Sequence, residues 1–320
     1  MADSLQFEEI AKRLARMCSQ KPTDLAAYFL TADKAVTFKD TQTTARCHVL
    51  RRDGNGAPRV NGLASLLGHK VVDYAMPRRD IEIAAEAFRS TRSTAGFVAL
   101  AKKASRLFTH IKETGEGGEL LLYLLAEAYL GFPQVISKMH LKTNPQVHYH
   151  GVDGVHASVD PVTGLLALWW GESKLYASLR DGIRNCLDSI SQYLVPDAPD
   201  GSPVERDIDL LSAYADIIDP NLLAAFKKYL NPDDPHFNKV QYRGICLVGF
   251  DLNDYPKAES EDPVNFSGEV ISAVQSWKET TRRSVLKHQL HQTVLEVFLI
   301  PFPSVEELRA SFLRTLGIQE

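Results

Sequence analysis

The chain has few of the residues from which easily recognised sites are built. Its four cysteines, Cys18, Cys47, Cys186 and Cys246, are far apart and form no C-x-x-C pair. That excludes a cysteine zinc site or a disulfide framework and reads as reduced, partly buried thiols in a cytosolic protein. No apolar run approaches the ~20 residues a membrane span requires. The first residues, MADSLQFEEI, are acidic and lack an apolar core, so no signal peptide is expected. There is no G-x-S-x-G elbow, no H-E-x-x-H pair and no Rossmann glycine fingerprint. Positive charge is also scarce: 36 Lys and Arg against 40 Asp and Glu leave a net charge of −4. Nucleic acid would gain no bulk attraction and would need a local basic patch or a partner that supplies affinity. Internal repeats and low-complexity tracts are absent, and the overall apolar content is that of an ordinary globular protein.

What is present centres on one stretch, VHYHGVDGVHASVDPVTGLLALWWGESKLY, from Val147 to Tyr176. It reads as two strands, about 147–159 and 165–174, joined by a turn at Asp160-Pro161-Val162-Thr163-Gly164. The second strand is almost continuously apolar up to Gly171, the pattern of a strand covered on both faces. Polar residues then break in as Glu172-Ser173-Lys174. Residues two apart on a strand share a face, so Glu172 and Lys174 point the same way. Folding the hairpin about its turn brings Asp153 opposite Glu172 or one place from it, subject to a bulge at Gly151 or Gly154.

Two close carboxylates repel and favour a divalent cation between them, and hard oxygen ligands suit Mg²⁺ or Mn²⁺. A lysine beside them can hold a water or stabilise charge on a phosphorane. This is the D…ExK pattern of metal-dependent nucleases; the competing explanation is an exposed ion pair at a strand end. His148, His150 and His156 offer a second, zinc-type reading, but in a regular strand they face away from Asp153.

The rest of the chain supplies a frame. Helices are predicted over 4–18, 61–67 and 80–110, the last interrupted near Ser93–Gly96, with strands at 35–38 and 44–51. The basic pairs Arg51-Arg52 and Arg78-Arg79 read as solvated surface or phosphate contacts. The glycine-rich run before Glu119 lacks GK[ST] and carries acids, so it is no phosphate loop. A helix follows it. Glu119, in its first turn, either complements the helix dipole or reaches the metal site, and Glu116 is its rival. Pro133–Thr143 reads as a strand. An amphipathic helix over Leu175–Leu194 follows the hairpin, with Arg180 and Arg184 on its polar side. A helical insertion at about 195–240 precedes a buried strand, Tyr242–Phe250. The resulting order is αβββαβ, an α/β (α+β) restriction-endonuclease-like core with N-terminal and C-terminal additions. A helix near 270–288, a strand at 294–300 and a helix capped by Ser304 and Glu307 complete the chain. The division expected is 1–110, an N-terminal α/β region suited to partner docking, and 111–320, the nuclease domain.

The stretches TGEGGELLLYLLAEAYLGFP, SKMHLKT, GVDGVHASV and LWWGESKLYASLRDGI, and more loosely VVDYAMPRRDI, GICLVGF and FLIPFPSVEELR, together resemble HamA, the nuclease subunit of Hachiman anti-phage defence. That family belongs to the PD-(D/E)xK superfamily. The resemblance implies a DNase effector restrained by a helicase partner, HamB, until that helicase engages aberrant or invading DNA. It implies Asp153, Glu172 and Glu119 as Mg²⁺ or Mn²⁺ ligands and Lys174 as the catalytic lysine. The proline that precedes the superfamily's Asp is replaced by Val152. An alternative from a different class is a non-catalytic adaptor that keeps a nuclease-like fold and gates or recruits a helicase.

Overall fold

The apolar run before Glu172 lies in a six-stranded sheet. A computed structural model describes residues 6–108, 115–141, 152–194, 202–253, 255 and 268–318. Its strands are β1 (Phe29–Thr37), β2 (Thr43–Leu50), β3 (Gly154–Val159), β4 (Leu166–Tyr176), β5 (Val240–Asp251) and β6 (Leu295–Phe302), in the order β1-β2-β6-β5-β4-β3. β2, β6, β5 and β4 run parallel, and β1 and β3 pair antiparallel at the two edges. The mixed α/β architecture is that of a restriction-endonuclease-like fold. The sheet crosses residue 110: β1 and β2 pair into the same ladder as β6.

Parallel strands need cover on both faces, which explains why β4 is apolar from Leu166 to Trp170. Leu166, Leu168 and Trp170 join Ile183, Leu187 and Ile190 of the helix Leu179–Ser191 in one core. Ala167, Trp169 and Leu175 join Leu120–Leu125 of the helix Glu116–Leu125 in the other. Ser178 caps the first of these helices by accepting from the Asp181 N–H at 3.3 Å. β4 runs on to Tyr176, so Leu175 belongs to the strand and not to the helix expected to start there.

The expected strand at Pro133–Thr143 is corrected. Gln134 makes an isolated bridge to His156, and the Val135 N–H bonds the Val155 carbonyl at 2.9 Å. The chain then turns into a short helix, Lys138–Leu141, and residues 142–151 lie outside the described part. The polar Ser137 and Lys138, both buried, end the extended run. The insertion before β5 is helical, with Pro203–Tyr214 and Pro220–Leu230 separated at the proline. Among the described residues no helix is long and apolar enough to cross a membrane.

One of the basic pairs has a structural role. Arg78 Nη1 donates to Asp216 Oδ2 at 3.1 Å and to the Gln134 carbonyl at 2.9 Å, while Nη2 reaches Glu127 Oε1 at 3.4 Å. Glu127 sits in a π-helical turn, Ala126–Leu130, its side chain fully buried. It also accepts from the Ser19 and Gln134 backbone N–H groups. Arg78 thus ties the segment after the first helix, the π-turn, the extended segment and the loop before Pro220. The expectation of a solvated pair or phosphate contact fails for Arg78 because Glu127 and Asp216 consume its donors.

His48 on β2 packs its ring 4.6 Å from Tyr129 and 5.9 Å from Phe298, and neither ring nitrogen has a hydrogen-bond partner. Burial first, and the Arg46 charge second, push its imidazole down to about 4.

Two predictions follow from these buried groups. Arg78→Ala leaves Glu127 and Asp216 as unpaired charges and should cost roughly 3–5 kcal/mol in urea unfolding; a loss below about 1 kcal/mol would remove Arg78 from its central place. His48 stays neutral in the folded chain below pH 6.5, where the unfolded chain binds a proton. Stability is therefore present above about 6.5 and lost as pH falls toward 4, and His48→Phe should remove up to about 1.4 kcal/mol per pH unit of that slope. An acid limb unchanged in the variant would contradict this.

Candidate active site

The site is built at the end of the β3–β4 hairpin. The ladder pairs Gly154 with Gly171, and the Asp153 N–H donates to the Gly171 carbonyl at 2.9 Å. Asp153 therefore stands level with Glu172, one place beyond the last ladder pair. Glu172 in turn lies beside Cys246 of β5, and the Cys186 thiol donates to the Glu172 carbonyl at 3.4 Å. The residues where β4 turns polar are thus locked on three sides.

The carboxylates are held differently. Asp153 Oδ2 accepts from the Ser173 N–H at 2.7 Å and from the Ser173 hydroxyl at 2.6 Å. Burial raises the Asp153 carboxyl above its ordinary value, although the Ser173 bonds and the Lys174 charge pull it back. Glu172 Oε1 accepts from Lys174 Nζ at 2.5 Å, with its side chain 6% exposed and that of the lysine 24%. Burial, and then the neighbouring Asp153 charge, push Glu172 up to about 7 against the opposing pull of Lys174. Burial acts to lower the Lys174 ammonium, but Glu172 and Asp153 outweigh it and hold it above the usual lysine range. Two like charges and one opposite charge thus share a low-dielectric corner.

The helix Glu116–Leu125 packs against Ser173 and Leu175 of β4 and carries two more carboxylates in its first turn. Glu119 Oε2 accepts from the Tyr74 hydroxyl at 3.1 Å, and Glu116 is 3% exposed. Burial raises the Tyr74 hydroxyl far above its ordinary value, and the charges of Glu119, Asp153 and Glu116 add to the effect. The buried hydroxyl therefore lies within the fields of the helix carboxylates and Asp153. The helix comes this close because residue 118 is glycine: a Cβ there would meet Ser173 Oγ at 3.1 Å and Leu175 Cγ at 3.2 Å. Both expected rivals, Glu116 and Glu119, stand in the first turn of this helix, and the Tyr74 bond falls on Glu119.

His156 points away from the carboxylates. It is 1% exposed, its Nδ1 lies 2.8 Å from the Phe132 carbonyl, and burial pushes it down to about 4. His148 and His150 lie outside the described residues. On the following helix, Arg184 is paired with Asp181 at 2.9 Å and Arg180 is exposed. Sequence reasoning missed Tyr74 and Ser173 at this site, and also Lys138 and Tyr193, which bond the Val152 peptide beside Asp153. Tyr74 and Lys138 lie inside stretches already singled out, VVDYAMPRRDI and SKMHLKT, but no spacing rule connects them to Asp153.

Two buried carboxylates, one of which raises the proton affinity of the other, suit a divalent cation, which relieves the repulsion as a proton does. Asp153 and Glu172 fit that donor chemistry, and Glu119, bonded to Tyr74, is a further carboxylate on the neighbouring helix. Among the described residues, no group of three or more His, Cys, Asp and Glu side chains stands arranged to hold a metal ion. No curated protein matches the chain. The HamA family model matches residues 27–316, nearly the whole length and all six strands. The chain accordingly belongs to the HamA family, which acts in Hachiman anti-phage defence.

Proposed function

We propose that this HamA family member is a metal-dependent, sequence-nonspecific DNA nuclease, an effector restrained by a helicase partner of the HamB type. The observation that carries the reading is the convergence of Asp153, Glu172 and Lys174 at one buried strand end, with Lys174 Nζ on Glu172 Oε1. Asp153 and Glu172 would hold Mg²⁺ or Mn²⁺, with Glu119 as a further carboxylate. A bound Mg²⁺ or Mn²⁺ supplies Lewis acidity toward the phosphodiester. Ser173 fixes the Asp153 carboxylate through two hydrogen bonds, leaving its orientation set before substrate arrives. The Lys174 ammonium orients the attacking water and stabilises charge that develops on the phosphorane. The net charge of −4 fits a subunit delivered to DNA by its partner.

A second reading is a non-catalytic adaptor that gates or recruits the helicase, in which the Lys174–Glu172 ion pair is structural. The two differ in what the carboxylates are for. An adaptor has no use for metal affinity that depends on Glu172.

Plasmid and linear DNA incubated with Mg²⁺ or Mn²⁺, with and without the helicase partner, provides the direct test. Glu172→Ala and Lys174→Ala should each lower cleavage by about 10²-fold or more while folding and partner binding persist. Full metal-dependent cleavage by both variants would rule the site out, and no cleavage by the wild type under any of these conditions would favour the adaptor.

A second prediction concerns pH. Glu172 is raised in the folded chain from 4.5 to about 7, so the folded state holds its proton longer than the unfolded state does. Its contribution is fully present below about pH 4.5 and is lost as pH rises through about 7, by up to about 1.4 kcal/mol per unit. Metal-free protein should therefore lose stability across that window, with the slope flattened in Glu172→Gln. Millimolar Mn²⁺ should raise the wild-type Tm above pH 7 by mass action and leave that of Glu172→Gln nearly unchanged. Equal Mn²⁺ shifts in both proteins would place the metal elsewhere.

A further inference from the structure

The peptide before Asp153 is held from both sides. The Val152 carbonyl accepts from Lys138 Nζ at 3.3 Å, and the Val152 N–H bonds the Tyr193 hydroxyl. Lys138 is itself tied to Asp207 Oδ2 at 2.7 Å, with the two side chains 7% and 0% exposed. Asp207 lies on the insertion helix Pro203–Tyr214, and Tyr193 follows the helix Leu179–Ser191 and lies 6.3 Å, ring to ring, from Trp170 of β4. Val152, 3% exposed, is thus the meeting point of three segments distant in sequence.

This arrangement is hard to explain by stability alone. A buried ion pair loses much of its Coulombic gain to desolvation, and apolar residues of similar volume often serve as well or better. Here Asp207 Oδ1 accepts no hydrogen bond among the described residues, with Arg206 Nε 3.9 Å from it, which adds to the cost. What the pair does provide is direction: it aims an ammonium at one carbonyl. The β3–β4 ladder ends at Gly154–Gly171, so the ladder itself holds Asp153 only through its N–H bond to Gly171. The two bonds to Val152 extend that restraint one residue further. They also suit a valine at this position, since a proline there would have no N–H for Tyr193.

We propose that Lys138 and Tyr193 are positioning residues that clamp the Val152 peptide and so fix the Asp153 carboxylate opposite Glu172, with Asp207 of the helical insertion holding Lys138 to that task. The clamp makes the insertion part of the active-site frame: a displacement of the Pro203–Tyr214 helix loosens Asp153 without touching it. The consequence for metal affinity rests on the function proposed above; the clamp itself does not.

The test uses the full chain. Lys138→Met/Asp207→Leu replaces the ion pair by apolar residues and removes the bond to the Val152 carbonyl without leaving a lone buried charge. Tyr193→Phe removes the other bond alone and serves if the double variant fails to fold. Amide hydrogen exchange at Asp153 should speed up by about tenfold or more in the folded variants while exchange in β5 stays as in the wild type. Calorimetric Mn²⁺ binding should weaken by about 10-fold or more, the size seen when groups orienting metal ligands are removed. Asp153 exchange unchanged in every folded variant overturns the clamp, whatever the metal result. Faster exchange together with no Mn²⁺ binding by the wild type supports the clamp and sinks the metal-site reading.

Discussion

Two carboxylates buried level with each other repel, and the structure around Asp153 and Glu172 is arranged to bear that repulsion. A hairpin alone would splay or protonate there. Three features oppose this. Ser173 donates twice to Asp153, Lys174 closes on Glu172, and the β4–β5 ladder keeps the Glu172 backbone in register beside Cys246. The glycine at 118 lets the neighbouring helix press onto Ser173, so the bond to Asp153 is backed by packing as well as by its own geometry. The apolar cover on both faces of β4 keeps water from relieving the charges and makes each of these contacts matter more.

The same economy of buried charge recurs away from the site. Glu127 and Asp216 are paired with Arg78, and Asp207 with Lys138, each across a long stretch of chain. These pairs join the irregular segments that strand pairing cannot reach: the loop before Pro220, the π-turn and the segment around Gln134. Hydrophobic burial holds the sheet and its helices, whereas buried ion pairs set where the irregular chain lies. Removing one partner from such a pair is expected to cost more than losing a surface bridge, because the charge left behind stays out of water.

Much of the sheet and of the site's register was legible because both depend on local pattern. The apolar run Leu165–Trp170 suggests a doubly covered strand, and folding about the Asp160–Gly164 turn brings Asp153 to within one place of Glu172, where the ladder sets it level. The Pro133–Thr143 segment was misread for an equally physical reason. Val135, Ile136 and Met139 are buried as strand residues would be, but Lys138 goes inward to Asp207, 69 residues away, and no local rule predicts a buried lysine. Glu127, too, is buried against a cation 49 residues earlier. That cation, Arg78, looked like surface. Period and turn chemistry report the contacts a segment makes with its own layer; they are silent on long-range charge pairs, which decide the remainder of this site.

The Lys174–Glu172 contact also bears on how such a site could be kept quiet. In the chain as described, the lysine's charge is spent on Glu172, and a lysine so engaged is poorly placed to act on a water or a phosphate. It becomes available when something else neutralises Glu172. A proton does so below about pH 7, but a protonated Glu172 is a weak ligand, so acid frees the lysine and disables its neighbour together. A divalent cation held, on the proposed reading, by Asp153 and Glu172 would neutralise Glu172 while leaving it ionised, and would free the ammonium without that loss. On the proposed reading the ion pair is thus a resting contact whose exchange depends on metal and on the fixed position of Asp153. Control by a partner would then need no change in Glu172 or Lys174 themselves, only a shift in the frame that holds Asp153 opposite them.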